Sequence, residues 1–158
     1  MSAIKFLCLK IFFSTILLLT FFSCTQEVKK NTPKNNEITF ISYSNVSGNL
    51  GNYNIIKITK DSITSEQGNT TRQTHKQWAS KIQPQIWKKL ISSFDLKTLN
   101  HIKSSESVQA KGGIDEVFQI KTSRKSHVYV NSYNDSLHYK QFARFKSQLE
   151  KILPTEHP

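Results

Sequence analysis

The chain has 158 residues, enough for one compact domain, and 22 basic side chains against 11 acidic ones give a formal charge of +11. Its two cysteines, Cys8 and Cys24, both lie near the N-terminus, so the sequence beyond them offers no disulfide framework, cysteine-ligated zinc or thiol catalysis. Of the 22 basic residues 19 are lysine, and no run of five or six like charges occurs, so codon composition explains the excess as readily as an anionic partner does.

Lys5 and Lys10 form a positive leader, Ile11 to Phe22 is an apolar or hydroxyl-bearing run, and Ser23 is a small residue just before Cys24. The apolar run is about a dozen residues, short of the roughly 20 that a spanning helix needs. Phe21-Phe22-Ser23-Cys24 resembles the lipobox of bacterial lipoproteins, with Phe21 where leucine is usual and Phe22 where a small residue is usual, as in looser Bacteroidota-type boxes. That resemblance implies a signal peptide over residues 1–23 and acylation of Cys24 as the new N-terminus, held in the bilayer by its acyl chains. An ordinary cleaved signal and an uncleaved membrane helix are the rival readings. Removing residues 1–23 from the 158 leaves 135 and takes Lys5 and Lys10 with it, for 20 basic against 11 acidic side chains.

Residues 24–36 then read as the lipidated cysteine and a flexible tether, lacking apolar periodicity and carrying Pro33. The absence of an acidic cluster or an aspartate after Cys24 points, by analogy with lipoprotein sorting, to the outer membrane facing the periplasm. An exported position makes nucleic acid an improbable partner and leaves phospholipid headgroups, lipopolysaccharide or an envelope protein.

Residues 37–153 are the expected single domain, with 154–158 as a tail. Glu37 to Ser44 and Tyr53 to Thr59 read as strands flanking a loop with Gly48 and Gly51. Lys60-Asp61 turns into a short strand, Ser62 to Glu66; Gly68-Asn69 is the next turn signal, and polar Thr70 to Gln77 fits an edge strand. Pro84 opens a helix with Ile86, Trp87, Leu90, Ile91 and Phe94 on one face, followed by Leu96 and Leu99. Residues 103–113 read as a long mobile loop, and Ile114 to Thr122 and His127 to Asn131 as a hairpin turned through Arg124 and Lys125. Asp135 is placed to cap a last helix carrying Leu137, Phe142, Phe145, Leu149 and Ile152, which Pro154 stops.

This order implies an α+β fold: a mainly antiparallel sheet of about five to six strands with two amphipathic helices packed on one face. Alternation assigns Ile56, Ile58, Phe118, Ile120, Val128 and Val130 to the core, and Tyr53, Ile55, Val117 and Tyr129 to the opposite face. Small Bacteroidota-type lipoproteins with one uncharacterised domain have a similar plan, here in Gly51-Asn52-Tyr53, Ile86-Trp87-Lys88-Lys89-Leu90, Asp115 and Tyr139 to Leu149. The resemblance implies the architecture and no mechanism.

The chemistry-bearing residues are sparse. His75, His101, His127, His138 and His157 show no ligand spacing, so no metal or other cofactor is expected. Asp115-Glu116 with a histidine suggests a small hydrolase, but adjacent strand residues project to opposite faces, which separates the two carboxylates. The expectation is a noncatalytic envelope module that binds through Tyr53 and Tyr129 or through Arg124 and Lys125. An inhibitor or immunity-type protein is the alternative.

Overall fold

A computed structural model describes residues 36–154; the signal segment, Cys24 and all but the last residue of the expected tether lie outside the described residues. Six strands form one sheet: β1 (Ile38–Ser47), β2 (Asn52–Thr59), β3 (Ser62–Asn69), β4 (Thr74–Lys81), β5 (Ile114–Thr122) and β6 (Ser126–Val130). Their order is β4-β3-β2-β1-β5-β6, antiparallel at every pairing. The helices are α1 (Pro84–Ile91) and α2 (Lys140–Leu149). This is the α+β fold expected from the order of elements.

One face of the sheet is the core. Cross-strand partners share a face, and the pairings Ile56–Tyr43–Phe118–Tyr129 and Ile63–Ile58–Ile41–Ile120 run across it. A register shift between Ile38 and Phe40 places a bulge at the start of β1, so that Ile38 and Ile41 are both buried although three positions apart. Trp87 and Leu90 of α1 and Phe142, Phe145 and Leu149 of α2 close over these rows. Phe118 stacks on Phe142 at 4.2 Å between centroids, and Phe94 tilts against Phe145 at 5.2 Å.

The largest correction concerns β6. Phe118 pairs with Tyr129 and Val117 with Val130, so Tyr129 faces the core at 4% exposure while Val128, at 56%, and Val130 face the other way. The sequence alternates on both sides of that hairpin, and apolarity alone chose the wrong parity. Tyr129 fits the core because its phenol donates a 2.7 Å hydrogen bond to the Leu99 carbonyl. Burial holds that phenol far above its ordinary pKa.

Two turns also differ from expectation. The β3–β4 hairpin closes through residues 70–73, not at Gly68-Asn69: Asn69 Oδ1 accepts the Arg72 amide at 2.7 Å, and Gln73 takes the left-handed turn conformation, φ 53°. Gly68 is inside β3, paired with Tyr53 and His75, and a Cβ there would collide with the Thr74 carbonyl and the Tyr53 phenol, so the position needs glycine. β3 therefore runs on to Asn69, beyond the expected Glu66, and the edge strand expected at Thr70 to Gln77 is displaced to Thr74–Lys81. At the C-terminal helix, Asp135 binds the amide of His138 but regular helix begins at Lys140. Leu137 is 71% exposed, while Tyr139 packs on the core in its stead.

Candidate functional site

Both helices cover the core face, and alternation assigns the opposite face its own rows. Val130, Val117, Ser44, Ile55, Glu66 and Gln77 form one, and Val128, Gln119, Ser42, Lys57, Thr64 and Ala79 the next. Val128 is exposed and Val117 and Val130 are partly so, which leaves an apolar group on neighbouring β6 and β5; Ile55 on β2, also partly exposed, is set apart from it by Ser44 of β1. Lys57 and Glu66 pair across it at 2.8 Å. Tyr53 lies on this face as expected, its phenol oxygen 2.8 Å from His75 Nδ1. Tyr129, its expected companion, is in the core.

One end of the open face is covered by residues 104–111. Asp115 projects there and accepts from Ser107 Oγ at 2.5 Å, Val108 N at 2.8 Å and Asn131 Nδ2 at 2.8 Å. Burial would raise its pKa, but these hydrogen bonds more than offset that and hold it below the usual carboxylate value. The segment expected to be a mobile loop is thus tied down by a buried carboxylate, and Asn131, wholly buried and at φ 49°, is the other half of the tie. The sequence does not announce it: the partners are 16 residues apart and look like ordinary turn residues.

Glu116 projects to the core face, as strand alternation requires. It accepts from Tyr139 Oη at 2.9 Å and from Lys146 Nζ at 2.5 Å, and Lys146 also donates to Tyr139 Oη at 2.5 Å. Burial would lower the Lys146 pKa, but its bonds to Glu116 and Tyr139 outweigh that and raise it; burial raises that of Tyr139. These bonds make the cluster a clamp between α2 and β5. Asp115 and Glu116 serve separate structural knots on opposite faces, and their geometry lends the hydrolase reading no support.

Asp135 makes a third knot. It accepts the Lys103 amide at 2.9 Å, the His138 amide at 3.1 Å and the His138 ring at 2.9 Å. The Lys103 bond first and the His138 bonds next bring its pKa from 3.8 to about 2. A depressed carboxylate stabilises the fold above its unfolded pKa, and that contribution is lost as pH falls through the folded value. In urea unfolding from pH 5 to about 2, the wild-type midpoint should fall further than that of Asp135→Asn; parallel curves would show that Asp135 carries no such linkage.

Among the described residues no group of three or more His, Cys, Asp or Glu side chains could hold a metal ion. A shallow cleft of about 490 Å³ lies between the end of α1 and the start of α2, lined in part by Asp95, Thr98, His138 and Arg144. Gln141 on its wall is committed, accepting from Asp95 N at 2.7 Å and donating to Thr98 Oγ1 at 2.9 Å. Arg124 and Lys125, exposed in the β5–β6 turn, sit at the end of the sheet where β1 begins: the Ser123 amide donates to the Glu37 carbonyl at 2.9 Å. The first described residues thus lie beside this basic turn. No protein-family model matches the chain, and no curated protein shows significant similarity to it.

Proposed function

We propose that this protein is a noncatalytic binding module of the bacterial cell envelope, held on the outer membrane through acylated Cys24 and facing the periplasm. The observation that supports binding is the one-sided packing of the sheet: both helices close over one face, while the other keeps Val128, Val130, Val117 and Ile55 at least partly open to solvent. The partner on that face is an envelope protein, and the nearby Tyr53–His75 pair supplies polar contacts at its margin. Arg124 and Lys125, at the end where the chain leaves for Cys24, would meet anionic headgroups or another anionic envelope component. No cofactor enters this reading.

The test uses the full chain in its own membranes. Ile55→Thr with Val128→Glu should deplete one stoichiometric crosslinked protein about ten-fold, with unfolding unchanged because neither side chain is in the core. Undiminished capture would remove the open face as the site. Intact-mass analysis should find the acyl adduct on Cys24, and Cys24→Ala should lose it; an unmodified Cys24 would remove the anchor while leaving the binding test readable. High salt should release only the part of membrane association carried by Arg124 and Lys125.

A further inference from the structure

The two edges of this sheet are finished differently. At β6, which ends at Val130, the Ser105 amide donates to the Val130 carbonyl at 2.8 Å and the Val130 amide donates to Ser104 Oγ at 3.0 Å, so the preceding segment covers the Val130 end of that edge. At β4 no described residue pairs with the outer edge, and every residue of the strand except Trp78 is exposed. β4 is also the longer strand, unbroken in register from Ser62–Lys81 to Asn69–Thr74, with no proline, glycine or bulge to blunt it. An edge of unbroken register that no described residue pairs with is a template for another strand.

The template is fixed in place before anything binds. Trp78 packs against the core from one face of β4, and on the other His75 lies 2.8 Å from the Tyr53 phenol oxygen. An incoming strand therefore does not have to order β4, which lowers the cost of association.

Charge selects the occupant. Residues 70–81 contain Arg72, Lys76 and Lys81 and no carboxylate. Two copies pairing edge to edge would bring these cations together, whereas a strand rich in Asp or Glu would neutralise them. We propose that the outer edge of β4 takes up an extended acidic segment of a partner protein, which adds a seventh strand to the six of the sheet. This interface is separate from the open face and does not depend on it. In the added strand, alternate side chains lie beside Lys76, Trp78 and Ser80 on the core side, and beside His75, Gln77 and Ala79 on the other. Carboxylates near Lys76 and an apolar group near Trp78 give the preferred pattern.

The test titrates the full chain, isolated in detergent, with a fluorescent peptide of alternating glutamate and valine as long as β4. Two twins serve as controls, one N-methylated at every second amide and one with lysine for glutamate. The acidic peptide should bind and slow amide exchange in β4 while leaving β6 unchanged. N-methylation, and separately Lys76→Glu with Lys81→Glu, should each weaken binding about ten-fold or more, the equivalent of one charge-assisted or backbone hydrogen bond. The charge reversal leaves the backbone intact and both side chains are exposed, so loss of fold does not confuse the result. Equal binding of the N-methylated twin, no binding of the acidic peptide, or protection at residues 121–126 in place of β4 would overturn the proposal. So would a dimer that forms through β4 with no peptide present, since the edge would then belong to a second copy.

Discussion

Asn131→Ala should be among the most destabilising single substitutions in the domain, costing about 3–4 kcal/mol in urea or thermal unfolding. Asn131 is fully buried and works in three directions: Oδ1 accepts the Glu116 amide at 2.9 Å, and Nδ2 donates to the Glu106 carbonyl at 3.0 Å and to Asp115 at 2.8 Å. Alanine leaves those partners without their bonds in a place water does not reach, and one of them is a carboxylate. It also sits poorly at φ 49°, a conformation that costs most L-residues about 1–2 kcal/mol and asparagine less. Glycine at the same position separates the two effects, because it relieves the backbone and restores no hydrogen bond. Asn131→Gly should therefore recover about 1 kcal/mol of the loss. Asn131→Asp keeps the acceptor for Glu116 N but sets a second carboxylate against Asp115, so its deficit should shrink as pH falls. If all three variants unfold at the wild-type midpoint, residues 104–111 are not held by this knot.

The effect should also be local before it is global. Ser107 and Val108 remain bonded to Asp115 in the variant, but the Glu106 carbonyl loses its partner. Amide exchange should accelerate first in residues 104–113, where the stretch also rests on Gly48: a Cβ there would collide with the Gln109 carbonyl. The same segment covers the β6 edge at Val130. Loosening it would uncover the end of β6, at the sheet edge opposite β4, so a tendency of Asn131→Ala to associate should accompany its lower stability.

What the sequence made legible follows from periodicity, and what it hid follows from distance. The strand-helix-strand-helix order, the Trp87–Leu90 stripe of α1 and the Phe142–Phe145–Leu149 stripe of α2 are local patterns, and they are where the structure has them. β3 runs three residues past its expected end at Glu66, and the edge strand expected at Thr70 to Gln77 lies four residues later, at Thr74–Lys81, because the turn sits at residues 70–73; that register comes from pairing, which a single strand cannot advertise. Of the expected binding pair, Tyr53 is on the open face and Tyr129 is not. Arg124 and Lys125 are exposed in a turn, where a short polar hairpin connection belongs. The carboxylate knots were illegible for the same reason as the β4 edge: Asp115–Asn131, Glu116–Lys146 and Asp135–Lys103 join residues 15 or more apart. Their side-chain types alone fit catalysis as well as structure. In the structure each carboxylate ties two distant segments together through its donors.

The facing of β5 and β6 is the step on which the proposed open-face surface depends, and Phe118→Ala tests it with the other large effect, about 4 kcal/mol. Phe118 is 1% exposed, stacked on Phe142 at 4.2 Å and on Tyr43 at 4.8 Å, with Phe145 edge-on at 6.0 Å. Its loss removes a ring from the junction of β1, β5 and α2, and rigid neighbours on three sides keep the cavity from collapsing. Phe118→Leu fills most of that volume and should cost about 1–1.5 kcal/mol. The β6 partners give the discriminating comparison. Tyr129→Phe removes the donor to Leu99 O and should cost about 1 kcal/mol, whereas Val128→Ala, at an exposed position next to it in sequence, should stay within about 0.5 kcal/mol. The opposite order would return Val128 to the core and Tyr129 to the surface. The apolar stretch of the open face would then lose its most exposed member, and tyrosines would stand in its place. With the order as expected, Val128 and Val130 are free to meet a partner, because Tyr129 and Phe118 already fill the space beneath the helices.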